Sequence, residues 1–102
     1  DNTGGQAMKN LDKFLSHYKQ ELLVDVKKAP HQYYGLDRND IEGYVNTVHE
    51  QMSNVIKQNG IFSIALSPAM KRSAKLCGVK GSHMAINTYI KQDNQTTDVD
   101  VS

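Results

Sequence analysis

Two apolar stripes with helical spacing constrain this chain more than anything else in it. Met8, Leu11, Leu15, Tyr18 and Leu22 step by three, four, three and four residues, and Ile41, Val45, Val48, Met52 and Val55 step by four, three, four and three. Such steps place each set on one face of a helix, and a chain with two such faces must bury them against each other or against a partner. Phe14, Leu23 and Val26 widen the first stripe, while Asp12, Lys13, His17, Lys19 and Lys27 tend to fall off it. The first helix should stop before Pro30, because a proline pushes the preceding residue out of the helical region. His31 to Gly35 then form a connector whose two tyrosines, Tyr33 and Tyr34, are available to cover the helix ends. Asp37 or Asn39 can cap the second helix, and Asn39 with Glu42 has the spacing of a capping box. Gly43 weakens its first turn by roughly 1 kcal/mol relative to alanine, and Asn59-Gly60 supplies a stop.

Each stripe persists for only about two heptads, short of the three or four of a coiled coil, so an antiparallel pair within one chain is expected. A homodimer is the other way to cover such faces. The 102 residues make room for one small domain. The reading is all-α: two long amphipathic helices, then a short C-terminal helical hairpin, with the domain over residues 7–92. Residues 1–6 carry no apolar side chain and read as a flexible lead-in, while 93–102 read as a disordered acidic tail. The chain begins with Asp1 rather than Met, which leaves room for an upstream segment.

The run Ile61 to Leu66 is too short for periodicity to separate a buried connector from a strand. With no second strand to pair with it, a buried connector is expected; partly exposed, it would serve a partner instead. Ser67-Pro68 is a helix start, a hydroxyl cap followed by proline at the first helical position. Met70, Ala74 and Cys77 line one face, Gly78 ends the helix, and Val79 can fold back as the apolar partner of that turn. Ser82 caps a fourth helix whose core positions are Ile86 and Ile90, with Met84, Ala85 and Tyr89 beside them.

The charge is arranged in blocks. Residues 1–50 hold six basic and eight acidic groups. Residues 51–92 hold Lys57, Lys71, Arg72, Lys75, Lys80 and Lys91 with no carboxylate at all, and Asp93, Asp98 and Asp100 follow. A stretch that cannot neutralise itself locally presents a positive field to a polyanion, unless acids of the first half pair with it.

The unit Ser67 to Lys91 reads helix, glycine turn, helix. Ala74, Gly78 and Val79 fall where a DNA-reading helix-turn-helix places a small residue, a turn glycine and a buried apolar residue. Lys71, Arg72, Lys75, Lys80 and Lys91 would then meet phosphates, and Ser82, His83 and Asn87 would lie early in the recognition helix, able to touch backbone or base edges. The pattern has a defect: Met84 suits a buried position of the second helix, Asn87 does not, and Ile86 and Ile90 are out of step. Gly81-Ser82-His83-Met84 is also identical to a scar left by tag removal. The glycine turn before it and the apolar pattern running on through Ile86 and Ile90 favour a natural stretch.

No catalytic signature is present, and the chain reads as a binding protein rather than an enzyme. His17, His31, His49 and His83 stand far apart, with no partner at metal-ligand spacing, and no cofactor is implied. Cys77 reads as a buried structural thiol, and one cysteine fits a reducing compartment. Asp37, Asp40 and Glu42 gather at a helix start, where the helix dipole favours negative charge. The longest apolar run, Gly60 to Met70, is far below the ~20 residues of a membrane span, and no stretch has the shape of a signal peptide.

The segment Ser67 to Ile90 resembles the C-terminal part of small bacteriophage-encoded helical proteins of unknown function, over about a quarter of the chain. The resemblance implies a protein made during infection in the cytoplasm of a bacterial host, and it assigns no residue. The leading expectation is therefore a small nucleic-acid-binding or regulatory protein, with DNA as the partner. The alternative is a protein-binding module, such as a phage inhibitor of a host protein.

Overall fold

The computed structural model describes the backbone of residues 9–101 and the side chains of 9–92. Met8 and the lead-in 1–6 lie outside the described residues. The protein is all-helical: α1 spans Lys9–Lys28, α2 Ile41–Asn59, α3 Pro68–Leu76 and α4 His83–Val101, with short 3-10 turns at Pro30–Gln32, Arg38–Asp40 and Ile61–Ser63. There is no strand among the described residues, and no helix is long and apolar enough to cross a membrane.

The central element is α1. It buries Leu11, Phe14, Leu15, Tyr18, Leu22 and Val26, the stripe read from sequence with Phe14 and Val26 joined to it. Asp12 in its first turn and Lys27 and Lys28 in its last oppose the helix dipole. Helices α2 and α3 both pack chiefly on α1; α4 packs on α1 and on the 61–63 turn. Ile61, Met70 and Ile86 are fully buried and close the core from three different elements. Two polar contacts lock the arrangement: Asn10 Nδ2 donates to the Tyr89 carbonyl at 2.7 Å, and His49 Nε2 donates to the Leu15 carbonyl at 2.8 Å.

Several local expectations are corrected. The cap of α2 is Asp40, whose carboxylate accepts the Gly43 N–H at 3.0 Å; Asp37 caps the preceding 3-10 turn through the Asn39 N–H, and Asn39 caps nothing. A β-carbon at Gly43 would collide with the Asp40 carboxylate, so the glycine that weakens the helix also admits its cap. Late in α2 the buried position is Ile56 rather than Val55, because a 3.6-residue turn drifts away from a strict seven-residue pattern. Of the paired tyrosines, Tyr33 packs edge-on to Tyr44 with ring centroids 6.1 Å apart, while Tyr34 is fully exposed. The run from Ile61 is a 3-10 turn rather than a uniformly buried connector: Ile61 is buried, Ile64 and Leu66 are half-buried, and Phe62 is exposed. Cys77 is half-buried. Helix α4 is long, and it is helical through Val101, over residues that read from sequence as a disordered tail.

Candidate nucleic-acid interface

The basic surface is built on α3 and the turn that follows it. Ser67 caps α3, its Oγ accepting the Met70 N–H at 3.3 Å, with Pro68 at the first helical position. Ala69, Met70, Ser73 and Ala74 are buried, and this fixes the outward face of the helix at Lys71 and Lys75. The helix ends as the sequence implies. Gly78 takes φ +84°, its N–H reaches the Lys75 carbonyl, and the Val79 N–H reaches the Ala74 carbonyl. This pair of bonds is a Schellman closure, and Val79 packs back on the core.

The closure folds the next residues over the start of α3. A β-carbon at Gly81 would lie 3.1 Å from the Lys71 β-carbon, so the turn passes close over the stem of that lysine. Lys80 precedes Gly81 in the chain, so the turn carries its backbone back toward Lys71, and Lys75 follows Lys71 by one helical turn. All three lysines are exposed, and none forms an ion pair among the described residues. Lys91 is exposed too, about two turns further along α4.

Arg72 departs from this group, because its charge is engaged by acids of α1. Its Nε donates to Glu21 Oε1 at 2.7 Å and its Nη2 to Asp25 Oδ1 at 2.6 Å. Glu21 and Asp25 sit one turn apart on α1, so the guanidinium spans both. The hydrogen bonds with Asp25 first, then Glu21, hold the Arg72 pKa above its usual value. This side chain clamps α3 to α1 and is charge-compensated. Beneath it lies a cleft of about 520 Å³ lined by Tyr18, Tyr33, Pro68 and Ala69 among others.

The three polar residues expected at the head of a recognition helix are occupied differently. Ser82 is the cap of α4, its Oγ accepting the Ala85 N–H at 3.1 Å, as its sequence position implies. His83 turns inward: its Nε2 donates to the Ile64 carbonyl at 2.7 Å, because a carbonyl can only accept. Asn87 is half-buried. Ile86 is buried and Ile90 packs on the core, whereas Met84 is 70% exposed rather than a buried position.

Sequence reasoning missed Phe62. It is 58% exposed, and its ring stacks on the His83 imidazole with centroids 5.9 Å apart and planes 16° apart. The apolar run 61–66 gave no periodicity from which to tell an outward residue from an inward one. Among the described residues no three His, Cys, Asp or Glu side chains gather as metal ligands would. No family model matches the chain, and no curated protein or solved structure does either.

Proposed function

We propose that this is a small, non-enzymatic nucleic-acid-binding protein that uses the surface made by α3, the 77–82 turn and the head of α4. The observation that carries the reading is the presence of Lys71, Lys75 and Lys80, exposed and without an acidic partner among the described residues, in a stretch whose sequence holds no carboxylate. Lys71 and Lys75, one helical turn apart, repel each other, and Lys80 adds a third positive charge in the turn that follows. A polyanion relieves that repulsion and releases its own counterions.

The hairpin serves as a basic platform rather than as a groove-reading pair. His83 is turned to the protein, Asn87 is half-buried, and α3 and α4 lean on α1 more than on each other. Regulation in a bacterial host's cytoplasm is the setting that the bacteriophage resemblance suggests. A second reading, a module for a host protein, draws on the exposed Phe62, Leu76 and Met84.

Titration with duplex DNA, single-stranded DNA and RNA at two salt concentrations tests the proposal. Phosphate contacts make affinity fall steeply with salt, and three lost lysine contacts lower the logarithmic slope by about 2 to 3. The Lys71→Gln, Lys75→Gln, Lys80→Gln triple variant should therefore bind weakly and with a flattened slope. Salt-insensitive binding, or none, would remove the proposal and favour the protein partner.

A further inference from the structure

The exposed Phe62 needs an explanation that packing does not provide. Its neighbour Ile61 supplies the core contact of the 3-10 turn, being 1% exposed, while Phe62 projects from the fold. Its ring lies near-parallel and offset beside the His83 imidazole, centroids 5.9 Å apart, and His83 is itself held by the Ile64 carbonyl. The result is an aromatic platform, 58% exposed, set between the 3-10 turn, the extended residue Ile64 and the first turn of α4.

The ring is tied through His83 to the lysine-bearing turn. His83 follows Gly81 by two residues, a span of at most about 7 Å, and Gly81 lies against the stem of Lys71. Glu21 and Asp25 on α1 are both taken by Arg72, and residues 51–92 contain no acid at all. An outward ring beside uncompensated cations suits a ligand that is both polyanionic and planar.

We infer that the ligand is single-stranded nucleic acid, with a base stacking on the exposed ring of Phe62 while Lys71, Lys75 and Lys80 follow the phosphates. The inference rests on the lysine surface proposed above and names its substrate class. In a duplex the bases stack on one another and are closed to such a ring, whereas a single strand offers them. Every base has a stacking face, so binding of this kind is tolerant of sequence.

The chain has no tryptophan, so Phe62→Trp places a single indole at the platform. A short oligothymidylate should quench that indole, and the matching duplex should leave it bright. In anisotropy titrations at low salt, the unmodified protein should prefer the single strand. Phe62→Ala should weaken the single strand by about tenfold and leave the duplex unchanged, with the helical circular dichroism spectrum retained because the side chain is exposed. The triple lysine variant should weaken both. If Phe62→Ala binds the single strand like the unmodified protein while the lysine variant loses it, stacking is refuted and the lysine surface stands. If neither nucleic acid binds, both readings fail and Phe62 and Met84 are left to a protein partner.

Discussion

The Arg72 guanidinium stands 2.6 Å from the Asp25 carboxylate across the α1–α3 interface, and one helical turn earlier Glu21 takes the same side chain at 2.7 Å. A basic residue that belongs by sequence to a cationic stretch is thereby converted into a structural clamp. The two acids would repel each other without it, since like charges four apart on a helix are destabilising.

Arg72→Gln should therefore cost stability rather than affinity. The side chain is 40% exposed, so solvent screens the pairs, and the expected loss is about 1 kcal/mol. Urea denaturation should show a lower midpoint, and the loss should shrink at high salt. The salt slope of nucleic-acid binding should stay the same, because a cation already neutralised by carboxylates displaces no counterions. A flattened slope in this variant would return Arg72 to the binding surface.

Legibility in the sequence followed the range of the forces involved. The all-helical class and the stops at Lys28, Asn59 and Gly78 were readable because period, proline and glycine act locally. So were the caps at Ser67 and Ser82, each of which satisfies an N–H three residues on. The partner of Arg72 was not readable: Glu21 lies 51 positions away, and only the docking of α3 on α1 brings them together. Phe62 was hidden for a different reason. A 3-10 turn has three residues per turn, so adjacent residues of a short apolar run wrapped into one point about 120° apart and cannot share one face. Ile61 goes in and Phe62 goes out, with nothing in their types to distinguish them.

Ser53 offers a test of the α1–α2 packing. It is 7% exposed on α2, and its Oγ has no hydrogen-bond partner among the described residues. A buried hydroxyl without a partner carries its full desolvation cost. Alanine removes that cost and is also the better helix former. Ser53→Ala should raise stability by about 1 kcal/mol, seen as a higher urea midpoint at an unchanged slope. A destabilised variant would mean that the hydroxyl is satisfied in solution.

Tyr18 should make the fold sensitive to strong alkali. Its side chain is buried in the core, 3% exposed, beneath the cleft that Arg72 overhangs. Burial first, then the neighbouring Tyr33 and Tyr44, push its phenol from 10.0 up to about 12. Between those values the unfolded chain has released the proton and the folded chain has kept it. The resulting contribution to stability is complete below pH 10, declines above it, and is gone once pH rises past about 12. The comparison that isolates this phenol is with Tyr18→Phe. That variant keeps the ring in the core and should melt close to the unmodified protein at neutral pH, since among the described residues the hydroxyl makes no hydrogen bond that the variant would lose. Above pH 10 its melting temperature should fall less steeply, and the latest component of the phenolate absorbance titration should disappear. Parallel melting curves for the two proteins from pH 9 to pH 12, with the late phenolate still present, would show that Tyr18 ionises like an exposed tyrosine and that the core opens beneath Arg72.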